Sequence, residues 1–433
     1  MTNGATRIAT FDETALQALP PAPEQVQRIR KQAFEEFQTL PIPSQETEEW
    51  RYTDLSDLDL TFTPHTPGHG VAQPDISGDR AAVQFRHNSS LAMTTSNQDL
   101  GALGVIFCDL DEAAEHHAGL VEDRLHGLVP TDRTTFTALH GAFRTGGTFL
   151  YVPPDVRVDL PLQTLTYLDA DGAAVFPHTV LVADRGADVT FIDRYASPDL
   201  GRALSDAIAE IYVGDGAHVR YASIQEWGSG VTHLGIQRAT VGRDAEFRSL
   251  AIGFGASLAR AEAETVLAGA GGFSEMLGVF FADGTQHFDH RSVQDHVAPH
   301  CTSDLLYKGA LRDASRAVYS GWVHVRPGAQ KTNAMQTSRN IVLSEHAKAD
   351  AIPNLEIEAN DVRCGHAASV GPVEEETLFY LESRGIPRAE AERLIVTGFF
   401  QEVLDRVALE EVRRNAELAI QEELGMRQLA RTG

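Results

Sequence analysis

The 433-residue chain has little cysteine, little positive charge and no long apolar run. Its three cysteines, Cys108, Cys301 and Cys364, are too few for a disulfide framework, which favours a reducing compartment. Lys and Arg number 36 against 61 Asp and Glu, and the net charge of −25 argues against a nucleic-acid partner. No apolar run reaches the roughly 18 residues of a membrane-spanning helix, and the N-terminus lacks the apolar segment of an export signal. We therefore expect a soluble cytoplasmic protein.

The chain also lacks the short motifs of two common enzyme classes. Residues 328–332 end in a Lys-Thr pair, but they lack the earlier glycine and the strand-to-helix transition of a phosphate-binding loop. Residues 367–371 surround a serine, but they lack the first glycine of a nucleophile elbow. These residues therefore predict neither ATP binding nor acyl-transfer chemistry.

What the sequence does contain is a repeated β unit. Short runs rich in Val, Ile, Thr and aromatic residues alternate with small-residue turns across residues 145–360. The turn alanines Ala187, Ala217 and Ala245 lie 30 and 28 residues apart, and later turns come at about half that interval. Such a unit cannot bury its apolar face alone and must stack on its neighbours. We predict a β-solenoid, with a β-sandwich as the alternative.

Helical patterns flank this region. Apolar residues recur at helical spacing after Pro23, and Gly385 and Pro387 separate two helices near the other end of the chain. The predicted fold is mainly β, with helices at both ends. The expected division is an N-terminal helical and loop region at 1–100, a β core at 101–370 and a C-terminal helical domain at 371–433.

Cys364 and His366 form the first candidate site, at the predicted junction between the β core and the C-terminal helices. Residues two apart on an extended strand point to the same face, so both side chains could reach one centre. Thiolate and imidazole both ligate iron–sulfur clusters. Spacing alone favours the plainer interpretation, an inert buried cysteine beside a hydrogen-bonded histidine. Two ligands also cannot hold a cluster, so a second chain would have to complete the site.

Residues 287–301 are a second candidate, with four histidines, two aspartates and a cysteine. All three residue types bind transition metals. Because alternate residues of a strand face opposite sides, at most half of them could converge. A polar ladder with surface histidines explains the composition equally well.

Two adjacent aromatic residues, Phe399 and Phe400, mark the C-terminal helices. Neighbouring residues on a helix point about 100° apart, so one ring could pack inward and the other outward. An outward ring would be a typical anchor for a partner protein. Alternatively, the helices only cap the solenoid.

Five motifs in order carry a resemblance to a known family: residues 49–53, 149–153, 307–309, 361–367 and 379–385. Together they resemble the SufB/SufD family of the SUF iron–sulfur cluster assembly system, and residues 353–364 resemble SufD more than SufB. The resemblance runs from about residue 45 to about residue 410.

The resemblance implies a right-handed parallel β-helix that acts as a scaffold without hydrolysing ATP. SufB would pair with it through the β-helix ends, and the ABC-type ATPase SufC would dock on its C-terminal helices. His366 would be a ligand of a transient iron–sulfur cluster shared with SufB, with Cys364 in a supporting role. The candidate docking residues for the partner are Phe379, Tyr380, Arg384, Phe399 and Phe400. Flavin binding by the complex stays open, and a homodimer is plausible when SufB is absent.

Ala347 stands where the resemblance places the sulfur-receiving cysteine of SufB, 19 residues before His366. The chain is therefore not expected to accept persulfide as SufB does. Two alternatives remain: a SufB-like scaffold that holds a cluster by itself, and a carbohydrate-active β-helix enzyme.

Overall fold

The computed structural model describes residues 10–56, 58, 60–68, 78–96, 99–407 and 409–425, and most of them wind into a β-solenoid of about eight turns. The strands in chain order are β1 Ala82–His87, β2 Ser90–Ser96, β3 Ile106–Asp109, β4 Thr148–Val152, β5 Leu162–Tyr167, β6 Ala174–Val175, β7 His178–Ala183, β8 Asp188–Ala196, β9 Ala203–Val213, β10 His218–Glu226, β11 Val231–Val241, β12 Glu246–Gly253, β13 Leu258–Leu267, β14 Phe273–Ala282, β15 His287–His296, β16 Thr302–Leu311, β17 Arg316–Val325, β18 Asn333–Val342, β19 Lys348–Ile357 and β20 Arg363–Pro372.

Two sheets form the walls of the solenoid. Sheet 1 has the order β2-β1-β5-β8-β10-β12-β14-β16-β18-β20, and sheet 2 has the order β19-β17-β15-β13-β11-β9-β7-β4-β3 with β6 beside β9. Pairing is parallel except at β1–β2 and β3–β4. From β8 onward, even-numbered strands lie in sheet 1 and odd-numbered strands in sheet 2. The chain therefore passes from one sheet to the other between successive strands.

The predicted repeat is confirmed in the strand register. Val219 lies between Val189 and Phe247 in sheet 1, so one turn of the solenoid takes 30 or 28 residues here. These side chains and the turn alanines are buried in one interior cluster. Gly186 (φ +68°) and Gly216 (φ +66°) precede the first two turn alanines, because the tight turns need a left-handed backbone. The β-sandwich alternative is thereby excluded.

Helices cover one end and one side of the solenoid. The N-terminal helices are α1 Glu13–Gln17, α2 Glu24–Thr39, α3 Leu110–His116, α4 Ala118–Val121 and α5 Thr135–Phe143, with 3₁₀ turns at Glu48–Trp50, Gly101–Leu103 and Thr131–Arg133. The C-terminal helices are α6 Glu375–Ser383, α7 Arg388–Leu404 and α8 Glu410–Glu423.

Each helical group has its own apolar contact with the β core. Phe11, Phe37 and Phe143 belong to a buried cluster that joins α2 and α5 to strands β6, β9 and β11. On the other side, α7 and α8 share a cluster with strands β8 to β16 of sheet 1. β1 and β2, within the segment 1–100, extend sheet 1, because β1 pairs with β5 and β2 pairs with β1. No helix in the described ranges combines the length and apolar character needed to cross a membrane.

Candidate functional site

The last turn of the solenoid leaves two strand edges unpaired. β19 pairs only with β17, and β20 pairs only with β18, so each strand ends its sheet. Among the described residues, no helix or loop supplies a further strand at either edge. An unpaired edge presents a row of N–H and C=O groups that a strand from another chain can bind.

The two edges differ in the donors that they offer. In β20, the Arg363 N–H donates to the Thr332 carbonyl at 2.8 Å, so odd-numbered residues point their N–H groups towards β18. The N–H groups of Cys364, His366 and Ala368 therefore face the open side. In β19, alternation places Pro353 at an open-side position, where it has no N–H to donate. β20 is thus the more complete template for a partner strand.

β20 carries both residues of the first candidate site, in different surroundings. Cys364 is half-buried against an interior cluster that includes Val325 and Ala334, and burial raises the pKa of its thiol. His366 is exposed, although its register neighbour Gln336 on β18 is buried at 1% exposure. His366 is exposed because β20 is the last strand of its sheet.

His366 has too few ligand-type neighbours to hold a metal or cluster within this chain. Among the described residues, no set of three His, Cys, Asp or Glu side chains close enough to share an ion includes His366 or Cys364. An imidazole and a half-buried thiol supply at most two of the four protein ligands that an iron–sulfur cluster or a structural zinc ion requires. What the arrangement can do chemically is offer a ligand at an edge where a second chain supplies the others.

Large apolar side chains are exposed around this open end. Trp322, Met335, Ile357 and Val370 lie on the last four strands, and each is between 41% and 44% exposed. Exposed apolar groups that cluster at one end of a molecule mark an interaction surface. The open end therefore combines unpaired backbone, apolar side chains and an accessible histidine.

The histidine-rich segment 287–301 does not converge on one centre. His287 lies with Nε2 3.1 Å from Thr53 Oγ1, and the buried His290 ring stacks on Phe280 at a centroid distance of 4.6 Å. Cys301 is fully buried in the solenoid interior, where burial raises its pKa. No three of its ligand-type side chains share an ion-sized space in the described structure. These contacts favour the polar-ladder interpretation.

The C-terminal helices are fastened to sheet 1 by a buried lysine. Lys308 of β16 has a side chain that is 4% exposed, and its Nζ donates to the Phe399 carbonyl at 2.7 Å. The same ammonium pairs with Glu402 and lies 4.5 Å from the Phe399 ring centroid. Phe400 is 0% exposed and packs with Leu277 and other sheet 1 residues. Phe400 therefore anchors the helices internally, and its ring is not accessible to a partner.

Beyond this anchor, the candidate docking residues Phe379, Tyr380 and Arg384 are exposed in α6 and at its end, whereas Phe399 of α7 is half-buried against Lys308. Phe379 is 73% exposed and Tyr380 is 56% exposed. The Arg384 guanidinium lies over the Tyr380 ring at 5.1 Å from its centroid. Leu394 on α7 adds a fourth exposed large side chain, at 48%. An arginine and exposed aromatic rings are the residue types most often found at the energetic centre of protein interfaces.

Sequence reasoning recognised residues 307–309 only as part of a motif and missed what they do. Lys308 points outward to α7, whereas Tyr307 and Gly309 point into the interior. A Cβ at Gly309 would lie 2.1 Å from the Phe280 ring, so only glycine fits there. A charged residue between an aromatic residue and a glycine was the only sign in the sequence that Lys308 differs from its neighbours. It does not identify Phe399, 91 residues away, as the partner of Lys308.

Comparison with known proteins matches nearly the whole described chain to one family. The model for the SUF system FeS cluster assembly SufBD core domain matches residues 166–399, and the model for the SufBD protein N-terminal region matches residues 69–164. The iron–sulfur cluster assembly protein SufD of Bacillus subtilis is 32% identical over 406 residues, which cover 90% of this chain and 92% of that protein. A SufBD family protein of Mycobacterium tuberculosis is 37% identical over 307 residues, which cover 69% of this chain and 76% of that protein.

Proposed function

Because the chain belongs to the SufBD family of iron–sulfur cluster assembly proteins, we propose that it is a SufD-type scaffold subunit. In this role it is non-catalytic and cytoplasmic, pairs with SufB and docks the ATPase SufC through the helical segment 371–433. The cluster is transient and shared with SufB. The observation that carries the proposal is the exposed His366 on a strand with one unpaired edge, where this chain supplies too few ligands to hold a cluster alone.

Pairing with SufB is assigned to the open end of the solenoid. β20 offers the N–H groups of alternate residues, and exposed Met335 and Val370 offer apolar surface beside them. Such pairing would bring ligands from SufB to His366 and would cover the solenoid interior. Iron in a cluster that is being assembled still needs protein ligands, and a neutral imidazole nitrogen is a suitable one.

The ligand role is tested by His366→Ala in a co-expressed complex of this chain with its SufB and SufC counterparts. We expect light scattering to give one copy of this chain, one SufB and two SufC, with or without the substitution. Anaerobic cluster accumulation, followed by visible charge-transfer absorption, should be lost in the variant. His346→Ala is the matched control, since His346 is also exposed and lies in the turn before β19. A normal cluster yield from His366→Ala refutes the ligand role.

Docking of SufC is assigned to the exposed face of α6. Phe379 and Tyr380 are held in place because Leu378, 1% exposed, packs α6 against Ile341 of β18 in the underlying cluster. A rigid helix that presents two aromatic rings loses little conformational entropy on binding. In the acidic first turn of α6, Glu375 pairs with Arg388, and Glu376 offers its charge to a basic partner surface.

Phe379→Ala tests this docking. We expect at least a tenfold loss of SufC affinity, because hot-spot aromatic residues contribute about 2 kcal/mol or more to binding. Pairing with SufB should persist. Leu160→Ala is the control, since Leu160 is an exposed apolar residue outside the helices. If the wild-type chain purifies with SufB but without SufC, the C-terminal helices are only a cap, and this part of the proposal is wrong.

A further inference from the structure

Three histidines meet in the interior where the N-terminal helices pack on the first turns of the solenoid. His126 follows α4 in a loop, His140 lies on α5, and His178 begins β7. His140 is 0% exposed and His178 is 1% exposed. One ring nitrogen from each lies within 4.8 Å of the other two, and these three form the only such group of ligand-type side chains in the described ranges. The cluster is remote in sequence from His366 and plays no part in the function proposed above.

Hydrogen-bond partners assign the protons on two of the three rings. His140 Nδ1 lies 2.9 Å from the Asp206 carbonyl, and His126 Nδ1 lies 3.0 Å from the Val129 carbonyl. A carbonyl oxygen only accepts, so each Nδ1 carries a proton and each Nε2 keeps a lone pair. The Nε2 atom of His126 is buried and has no hydrogen-bond partner. It is therefore an orphaned lone pair directed into the interior.

Glu210 determines which nitrogen of the third ring, His178, carries the proton. Its carboxylate accepts the backbone N–H groups of His126, Leu128 and Val129 at 2.7, 2.7 and 3.0 Å. The same carboxylate lies 3.0 Å from His178 Nε2, to which it acts as an acceptor. With the proton on Nε2, the Nδ1 lone pair of His178 faces the Nε2 lone pair of His140 at 3.2 Å. Two lone pairs at this distance repel unless a proton or a cation lies between them.

We propose that His126 Nε2, His140 Nε2 and His178 Nδ1 bind a divalent transition-metal ion of the Zn²⁺ class. Tetrahedral zinc with Zn–N bonds of about 2.0–2.1 Å separates two ligand nitrogens by about 3.3 Å, which the His140–His178 distance already matches. The His126 loop needs only to close on the same centre. A set of three histidines leaves a fourth position for water.

The surroundings of the cluster support a metal rather than a proton. Each ligating ring donates its other N–H to a carbonyl or a carboxylate, which is the arrangement that orients metal-bound histidines. A single proton between His140 and His178 would relieve their repulsion, but it would leave His126 Nε2 without a partner. A metal ion engages all three lone pairs. Because the ligands come from a loop, a helix and a strand, the ion would clamp the N-terminal helices to the β core.

The experiment uses the full chain, purified with its affinity tag removed, stripped with a chelator and reloaded with Zn²⁺ or Co²⁺. We expect about one Zn²⁺ per chain after gel filtration, and a tetrahedral Co²⁺ spectrum in the visible range. Zn²⁺ should raise the melting temperature by a few degrees. Glu210→Gln, which weakens the support of His178, should reduce affinity on the order of 10–100-fold.

His126→Ala is the decisive variant, because His126 lies in a loop and its removal leaves α5 and β7 intact. It should bind no Zn²⁺ above background and melt at the same temperature with and without the ion. His233→Ala is the matched control, since His233 is also buried, at 5% exposure, but belongs to another part of the solenoid interior. Failure of the wild type to retain Zn²⁺, or equal retention by His126→Ala, overturns the proposal and leaves a proton-bridged polar network. Neither result bears on SufB or SufC binding, so the two proposals fail independently.

Discussion

Removing the Phe400 ring should loosen the C-terminal helices without unfolding the solenoid. The ring is 0% exposed and packs among Leu277, Phe281 and Leu306 of sheet 1. Truncating a fully buried phenylalanine to alanine costs about 3–5 kcal/mol, from lost burial and from the cavity left behind. This loss falls on the contact between α7 and the sheet. The Lys308 contacts and the smaller buried side chains of α7, such as Val396 and Val403, would remain to hold the helix.

Hydrogen exchange measures this loss locally. At about 1.4 kcal/mol per tenfold change, a loss of about 3–5 kcal/mol predicts exchange in α7 that is about a hundredfold to several thousandfold faster in Phe400→Ala. Peptides from β8 to β12 should exchange as in the wild type, because each solenoid turn is held by its neighbours.

Phe379→Ala is a control within the same domain, with the same change of side chain. Its ring is 73% exposed, so its removal should alter stability by no more than about 0.5 kcal/mol. Equal exchange rates in the two variants would contradict the packing argument. It would mean that α7 is held by its polar contacts, or that the ring makes no effective contact with the sheet.

The other two predictions concern the open edge and a buried carboxyl. Ala368→Pro removes an N–H on the open side of β20, so it should block SufB pairing while the isolated chain melts normally. The control Ala367→Pro removes a hydrogen bond to β18 and should also destabilise the fold. Normal SufB pairing by Ala368→Pro would refute the edge assignment. Burial raises the pKa of Asp193 to about 6 although Thr179 and Tyr221 donate to it. Its contribution to stability is complete below the unfolded pKa of about 3.9 and is lost as pH rises through about 6. Asp193→Asn should therefore gain about 3 kcal/mol over the wild type in urea unfolding at pH 8 and less at pH 5. An equal difference at both pH values would contradict this.

The solenoid could be predicted from the sequence because its cause is local and repeated. In three successive turns a small buried residue, Ala187, Ala217 or Ala245, follows a left-handed position, and the strands between them alternate inward and outward side chains. A pattern of this kind recurs within 30 residues and is visible without any knowledge of distant contacts. The start of the β core was harder to predict, since β1 and β2 belong to sheet 1 but lie in a segment whose composition indicated helices and loops.

The parts of the site that were not predictable depend on contacts between distant segments. Lys308 meets Glu402 across 94 residues, and nothing near either residue indicates the pair. The alternation of side chains along a strand places Cys364 and His366 on the same face. It does not predict that Cys364 is partly covered and His366 exposed. That difference arises because β20 is the last strand, which is a property of the whole solenoid. The cluster at His126, His140 and His178 is hidden for the same reason.

The two proposed contacts of the chain are joined by a short covalent path. β20, which carries His366, ends at Pro372, and α6, which carries Phe379, begins at Glu375. α7 is fixed to β16, two strands away from β20, by Lys308. In the proposed complex, movement of a docked ATPase would therefore act on α6 and on the junction 373–374 before it could displace α7. The strand next to that junction, β20, is paired on one side only, so the edge where the cluster ligands would meet also has fewer bonds to resist the movement than the strands inside the sheet.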